Sequence, residues 1–521
     1  MKILHFVFRH WAALLAALVF AAVFAAVYSA TPLRPYATLQ LPEMTHFLRF
    51  SPDGGTLLTV ADVPPAGWYG KVKGPIRVWD VRTGVERLAL APGRTLNPDM
   101  ICISPDSRLC TAGWIGQELD LWDLRTGETV AVPEKETFAY NIQFSPDGRF
   151  LIFQTVDADK DIAFWDVVAK QPRYRIKADT FGPLFATDGK SFVITNFDSS
   201  VLKDDHYPYI GFKRWRWDPS QGPVLDVDRP VACTALAFSP DLRTYATADG
   251  REIALWDTAT GDKRFSTELE EPDAYCQCLR FLRGGQMLSV ENNRSKTLVW
   301  DLASSPCYVG AFTGPGLYRF RDVSGFGAPS PDGKYVAVPF NDDDIPWEER
   351  PRPPHAGARI IRLPTLEEAG RLTMDDHRTP FEMHGLTTPT VTISPDGKWA
   401  AVGFLEEPPH EPYLSWLLPW RFNPFPASKG GEVVRVWDVA SRTPLMTFHE
   451  SSLQFSPDGK VLAVLHDDRL IDLWRLPFEK DLLAVFLWTT GIWLSLVAVP
   501  CLLVWGLRRW SRSAAAGRRP R

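Results

Sequence analysis

The residues of this chain that are best suited to bind a metal ion or react are a pair of cysteines and an acidic loop. Cys276 and Cys278 are two residues apart, which would place both thiols on one face of a strand. No histidine pair lies near them, and two thiolates are too few for a structural zinc site. Asp342, Asp343 and Asp344 could attract Ca²⁺, but an exposed acidic loop needs no ion. We therefore predict no metal site.

No catalytic signature occurs in the sequence. The motifs HExxH, GxSxG and CxxCH are absent, and so is a phosphate-binding P-loop. Several of the ten histidines fall in polar stretches that are typical of solvated loops, namely His206, His355, His377, His384 and His410. The sequence thus predicts a protein that is not an enzyme and that has no catalytic residue and no cofactor.

The net charge of −5 is unevenly distributed. Residues 1–30 carry only Lys2 and Arg9, whereas residues 508–521 carry six arginines and no acid. These segments contribute +2 and +6, which leaves −13 for the middle of the chain. An acidic middle is unsuited to a phosphate backbone, so no nucleic-acid partner is predicted.

Two long uncharged runs flank this middle part, at residues 11–28 and 482–507. About 20 apolar residues span the hydrocarbon core of a bilayer, so both runs predict transmembrane helices. The first would be a signal anchor within residues 1–30. A cleaved signal peptide is the alternative there, because Val23-Phe24-Ala25 is a tolerable cleavage pattern.

The basic residues predict the orientation of these two helices in the cell membrane. Lys2 and Arg9 precede the first run, and the basic tail 508–521 follows the second. Lysine and arginine near membrane spans favour the cytoplasmic side. Both termini are therefore predicted in the cytoplasm, with residues 31–481 on the extracytoplasmic side.

Between the two runs, one pattern recurs about nine times. An apolar residue and Ser-Pro-Asp, usually followed by Gly, open most copies, and an apolar residue with Trp-Asp, often followed by Thr-Gly, closes most of them. In the first copy these pieces are Phe50–Gly54, Val78–Asp80 and Thr83-Gly84. The first three Trp-Asp pairs are 43 residues apart, a period that indicates the four-stranded blades of a β-propeller. The predicted repeat tryptophans are Trp79, Trp122, Trp165, Trp217, Trp256, Trp300, Trp437 and Trp474.

This pattern resembles the WD40 repeat family over nearly all of residues 36–476. The resemblance implies an all-β fold, a single closed propeller of eight to nine four-stranded blades with nine favoured. The chain lacks the Gly-His pair that often precedes the first strand in the family. Asp161, Asp249 and Asp468, which could belong to the family's buried Asp-His-Ser-Trp network, are therefore interpreted as turn formers.

The two ends of the repeat region predict how the ring closes. The ninth copy has no fourth strand, because Lys480 leads directly into the second apolar run. Residues 36–41 form an orphan strand before the first copy. As the resemblance implies, this strand would complete the ninth blade and remove an exposed sheet edge.

Six cysteines lie outside the apolar runs, and Cys501 lies within the second one. Their spacing resembles no disulfide framework. We interpret the six as small core residues in strands, and pairing in an exported domain is the alternative.

Three long connections between second and third strands are predicted on one face, the distal face, away from the helices. They are Ala61–Gly74, Asn341–Ala358 and Phe404–Gly430, in copies one, seven and eight. Together they would form a raised docking surface for a protein. The alternatives are that the aromatic residues of the largest insertion pack onto the propeller or dip into the membrane. The predicted partner-binding residues are Trp68, Tyr69, Trp347, Trp416, Leu417, Trp420, Phe422 and Phe425.

The sequence thus predicts a non-enzymatic, membrane-anchored scaffold that binds protein partners through the distal face. The alternative is a propeller enzyme or small-ligand sensor that uses the central channel. The inner-strand starts Thr234–Ala237 and Ser452–Gln454 are mostly small or apolar, which argues against it. Solute transport is disfavoured because neither apolar run contains an ionisable residue.

Overall fold

The chain folds into two compact units, which are described separately. The propeller unit is Thr38–Leu473, and the terminal unit combines Met1–Ala37 with Trp474–Arg521. The computed structural model describes residues 17–62, 72–73, 75–90, 95–96, 101–112, 119–131, 139–155, 161–177, 183–197, 208–218, 221–293, 296–303, 306–313, 328–330, 333–341, 356–373, 390–405, 432–449, 451–466, 469–478, 480, 482 and 485–496.

The propeller consists of nine four-stranded antiparallel sheets, or blades, with strands numbered β1 to β38 in chain order. Blades 1 to 3 contain β2 (Met44–Phe50), β3 (Thr56–Asp62), β5 (Ile76–Asp80) and β6 (Val85–Leu90); β8 (Cys102–Ile103), β9 (Leu109–Ala112), β10 (Asp120–Asp123) and β11 (Thr129–Ala131); β12 (Ala139–Phe144), β13 (Phe150–Thr155), β14 (Asp161–Asp166) and β15 (Gln171–Lys177). Blades 4 to 6 contain β16 (Leu184–Phe185), β17 (Ser191–Phe197), β18 (Tyr209–Asp218) and β19 (Gly222–Cys233); β20 (Ala235–Phe238), β21 (Thr244–Asp249), β22 (Glu252–Asp257) and β23 (Lys263–Glu268); β24 (Cys276–Leu282), β25 (Met287–Asn292), β26 (Lys296–Asp301) and β27 (Cys307–Thr313).

The remaining blades follow the same order. Blades 7 to 9 contain β28 (Ala328–Pro329), β29 (Tyr335–Asn341), β30 (Ala356–Arg362) and β31 (Glu368–Thr373); β32 (Thr390–Ile393), β33 (Trp399–Leu405), β34 (Glu432–Asp438) and β35 (Pro444–His449); β36 (Ser451–Phe455), β37 (Val461–His466), β38 (Leu470–Arg475) and β1 (Ala37–Gln40). A separate two-stranded sheet pairs β4 (Val72–Lys73) with β7 (Thr95–Leu96). The prediction of nine blades is therefore confirmed.

The Ser-Pro-Asp-Gly motif forms the turn between the first and second strands. In blade 9 the Ser456 hydroxyl donates to Asp458 Oδ1 at 2.7 Å and accepts the Val461 N–H at 2.9 Å. The turn ends at Gly459, whose φ of 69° is a conformation that favours glycine. The serine-to-aspartate bond recurs in five other blades, at Ser51, Ser104, Ser145, Ser239 and Ser394.

Tryptophans at the ends of third strands pack against the preceding blade. Trp122 of blade 2 lies in one apolar cluster with Leu58 and Val78 of blade 1. Trp300 of blade 6 lies in the same way with Ile253 of blade 5. The aspartate that follows caps a turn, since Asp80 Oδ1 accepts the Thr83 N–H at 2.9 Å. Six repeat tryptophans are buried, whereas Trp217 and Trp256 are half-buried.

The ring closes through the strand contributed by the N-terminal part of the chain. β1 hydrogen-bonds to β38, so the orphan strand predicted over residues 36–41 supplies the outer strand of blade 9. Leu39 in this strand is 1% exposed. The Leu41 N–H donates to the Arg469 carbonyl at 2.8 Å. The predicted closure is thus confirmed.

The aspartates interpreted as turn formers lie between second and third strands. Asp249 faces Glu252 across the tight β21–β22 hairpin. The Asp161 N–H donates to the Thr155 hydroxyl at 3.1 Å, which closes the corresponding connection of blade 3. Asp468 lies outside the described residues.

The terminal unit contains helical segments at residues 17–30 and 485–496. They pack together through Phe20, whose ring centroid lies 6.4 Å from that of Phe486 and 5.9 Å from that of Trp493. No helix among the described residues has the length and apolar character that a membrane crossing requires. The predicted spans 11–28 and 482–507 include residues outside the described part, as does the whole tail 508–521.

Candidate interaction surface

The three long connections all leave the same face of the propeller. They join β3 to β5, β29 to β30 and β33 to β34, which are the second and third strands of blades 1, 7 and 8. Because every blade has the same strand order, these connections emerge opposite the Ser-Pro-Asp-Gly turns. We keep the name distal face for this side. The predicted partner-binding residues Trp68, Tyr69, Trp347, Trp416, Leu417, Trp420, Phe422 and Phe425 lie outside the described residues.

The strands that carry the largest connection are well buried. Val402 on β33 is fully buried, and Val433 and Val434 at the start of β34 are nearly so. Residues 406–431 thus begin and end on packed core strands. By contrast, the equivalent connection in blade 5 is only the two residues Gly250 and Arg251. A long insertion on a rigid base is a common arrangement for binding loops.

On the distal face, the connection between β3 and β5 of blade 1 contains β4, which pairs with β7 in a two-stranded sheet. Val72 faces Leu96, and Lys73 faces Thr95, which lies in the connection from blade 1 to blade 2. This pairing joins two connections that lie on the same face. The described part of the distal face at blade 1 therefore includes regular β-structure outside the blades.

Blade 9 lies between blades 8 and 1 and has a short connection between His466 and Leu470. Here Asp472 Oδ1 accepts a hydrogen bond from the Thr38 hydroxyl at 2.6 Å, and its Oδ2 lies 3.3 Å from His466 Nε2. Partial burial opposes ionisation of Asp472, but the hydrogen bonds from His466 and Thr38 prevail and lower its pKa.

A hydrolytic triad uses the same residue types as Thr38, Asp472 and His466, but the hydrogen bonds between these three residues do not run in the order that a triad requires. In a triad the histidine accepts the proton of the nucleophilic hydroxyl, and the acid holds the far side of the ring. Here the hydroxyl and the imidazole both bind the carboxylate. The arrangement joins β1 to β38 and activates no nucleophile.

Polar side chains of the inner strands cap backbone carbonyls of the next blade. Gln143 Nε2 donates to the Pro183 carbonyl at 2.7 Å, and Arg49 donates to the Ile101 carbonyl. The innermost strand of each blade has one unpaired edge, so these bonds satisfy carbonyls that would otherwise need water. The sequence did not predict these contacts. In them, polar side chains of the inner strands stabilise the junction between neighbouring blades.

The described cysteines are free thiols in the core and at its edge. Burial raises the pKa of Cys233 to about 12, and burial also raises the pKa values of Cys276 and Cys278. A thiol with a raised pKa is a poor nucleophile and a poor metal ligand. Among the described residues, no three His, Cys, Asp or Glu side chains are grouped to hold a metal ion.

Glu291 is the carboxylic acid with the largest pKa shift among the described residues, and nothing in the sequence pattern indicates this shift. It lies on β25 opposite Cys278 and is only 6% exposed. Burial raises its pKa to about 8, although the positive charge of Arg280 opposes the rise.

Comparisons with known proteins give no family assignment. No protein-family model matches the chain, and no curated protein matches it. Among solved structures, the computationally designed protein Ika8 is 14% identical with a TM-score of 0.41, covering 85% of this chain and 100% of its own. The β-propeller domain of Cps50 (Swd1) from Myceliophteria thermophila is 12% identical with a TM-score of 0.37, again covering 85% and 100%. The assignment of the fold therefore depends on the strand topology itself.

Proposed function

We propose that the protein is a non-enzymatic scaffold, held at the cell membrane by its terminal segments, that binds a protein partner through the distal face. The observation that carries the proposal is the common origin of three long connections on one face of a closed propeller. Short connections would suffice to join these strands, as they do in blade 5. The additional chain is therefore available for recognition.

The composition of the largest insertion favours a protein as the partner. Residues 406–431 contain Trp416, Trp420, Phe422 and Phe425. Aromatic side chains anchor protein interfaces, because each buries a large apolar area at a small cost in side-chain entropy.

We expect a photo-crosslinking residue at Trp420 to capture a discrete protein in intact cells. The matched control places the same residue at Ser441, an exposed position in the turn that follows β34 in the same blade. Since this turn lies on the opposite face, it should yield no discrete adduct. Identical adducts at both positions, or adducts at Ser441 alone, would show that the distal face is not the binding surface.

The double substitution Trp416→Ala and Trp420→Ala should abolish the adduct from a crosslinker at Phe425 without changing the melting temperature. Loss of two interface anchors commonly costs about 2 kcal/mol or more each. An unfolded or aggregated double variant would instead mean that the aromatic residues pack onto the propeller. Unchanged capture by a folded variant would also contradict the proposal.

Membrane attachment is supported by the uncharged runs 11–28 and 482–507 and by surface in the terminal unit. In that unit Phe486 is 52% exposed and Trp488 is 69% exposed. Large apolar side chains grouped on a surface mark contact with a membrane or another protein. The six arginines of residues 508–521 favour a cytoplasmic C-terminus.

Protease added to intact cells should digest the propeller and spare an epitope in the tail. This result is expected because both termini are proposed to lie in the cytoplasm, with residues 31–481 on the other side. Permeabilised cells, in which both parts should be digested, provide the control. Protection of the propeller in intact cells would reverse the proposed orientation.

A further inference from the structure

The terminal unit contains a cavity of about 690 Å³ that is lined by both apolar and cationic side chains. Its volume lies within the usual range of small-molecule sites. None of its described lining residues is acidic. The apolar lining includes Val27, Trp488 and Ile492, and the cationic lining consists of Arg34, Arg475 and Lys480.

Lys480 is already engaged with the first helical segment. Its ammonium donates to the carbonyls of Tyr28 and Ser29, the latter at 3.2 Å, and lies 4.8 Å from the centroid of the Tyr28 ring. A lysine at this position satisfies carbonyls that have no partner within a helix. Lys480 therefore contributes positive charge to the cavity, while its donors stabilise the helix end.

Arg34 and Arg475 have donors available for a ligand. The guanidinium carbon of Arg475 lies 5.0 Å from the centroid of the Tyr36 ring. This cation–π contact uses none of the five guanidinium N–H groups. Within the described part of the chain, neither arginine forms an ion pair with a carboxylate. Arg34 and Arg475 are both exposed to solvent. Two guanidinium groups with available donors suit a phosphate, which arginine can bind through two parallel hydrogen bonds.

We propose that this cavity binds one anionic phospholipid, with its phosphate at Arg34 and Arg475 and an acyl chain along Trp488 and Ile492. A free phosphate would satisfy the arginines but would leave the apolar lining in water. A zwitterionic lipid would bring a positive charge of its own towards the three lining cations. The inference depends on the proposed membrane attachment, because the lipid reaches the cavity from a bilayer.

The test is a lipid titration of the full-length protein in detergent, followed by native mass spectrometry. Phosphatidylglycerol should bind with one molecule per chain and more tightly than phosphatidylcholine. The variant Arg34→Gln with Arg475→Gln should bind phosphatidylglycerol about 25-fold more weakly, since each cation near an anionic lipid contributes about fivefold. Arg34→Gln alone should lose about fivefold, and it removes no contact seen among the described residues.

A matched control removes the same charge elsewhere. Arg82 and Arg125 are exposed residues in turns of the propeller unit, and Arg82→Gln with Arg125→Gln should leave phosphatidylglycerol affinity unchanged. An equal loss in this control, or equal affinity for phosphatidylcholine, would overturn the inference. Trp488→Ser should weaken phosphatidylglycerol but not glycerol phosphate. Glycerol phosphate bound as tightly as phosphatidylglycerol would indicate a phosphate site, and would overturn the lipid assignment.

Alkaline extraction of cell membranes separates this inference from the proposed function. A full-length protein released by extraction would contradict membrane anchoring and remove the basis for a lipid site. A protein that stays in the membrane but shows no preference for the anionic lipid would contradict the lipid site alone.

Discussion

We expect Leu39→Asp to lower the melting temperature of the propeller more than any other single substitution in its closing strand. Leu39 is 1% exposed and lies in β1, the outer strand of blade 9. Removing a buried leucine commonly costs about 2–5 kcal/mol. Placing an unpaired carboxylate there adds a desolvation penalty of several kcal/mol. Together these terms approach the whole stability of a typical domain.

The position of β1 explains why this substitution should act on the entire ring. It is the only strand of blade 9 that comes from the N-terminal side of the propeller, and it hydrogen-bonds to β38. The Thr38 hydroxyl donates to Asp472 at 2.6 Å across this junction. Releasing β1 removes these bonds together and exposes the edge of β38, which invites pairing with other chains.

Gln40→Asp is the matched control, because Gln40 is the exposed neighbour of Leu39 in the same strand. It adds the same charge but removes no buried group, so its effect should be within about 0.5 kcal/mol. Thermal unfolding followed by circular dichroism compares the two variants. Equal melting temperatures would show that closure does not depend on Leu39.

The fold was predictable because many weak signals share one period. No single Ser-Pro-Asp-Gly turn identifies a blade, but about nine copies in the same order, the first three of them 43 residues apart, restrict the chain to one architecture. Blade 7 shows the tolerance of this arrangement. Ile361 replaces the usual tryptophan there and is buried with Val299 of blade 6, so the contact between blades is kept by another apolar side chain.

The features that were not predictable depend on packing between segments that are distant in sequence. Arg49 and Gln143 cap carbonyls of the next blade, and nothing in their own strands indicates a partner. The cationic cavity brings Arg34 near Arg475, which the sequence separates by almost the entire propeller. The proposed aromatic contacts of Trp416 and Trp420 stay predictions, since both residues lie outside the described part of the chain.

Glu291 is the residue for which packing changes the chemistry most. Its strand, β25, reads as an ordinary apolar run with one acid, and such an acid would normally face water. Instead the side chain is buried, and burial raises its pKa from 4.5 to about 8. Between these two pH values the unfolded chain has released the proton while the folded chain retains it. Stability should therefore fall as the pH rises from 4.5 to 8, and this loss is complete above pH 8.

Glu291→Gln should remove this dependence, because the amide resembles the protonated acid and has no charge to bury. We expect the variant and the wild type to be about equally stable at pH 4.5, and the variant to be more stable by about 3–5 kcal/mol at pH 8.5. Urea unfolding at a series of pH values measures the difference, in which other titrating groups cancel. Glu128→Gln, at an exposed position in a turn, should show no such trend. A constant difference between wild type and Glu291→Gln across this range would mean that Glu291 is ionised in the folded protein and that Arg280 offsets its burial.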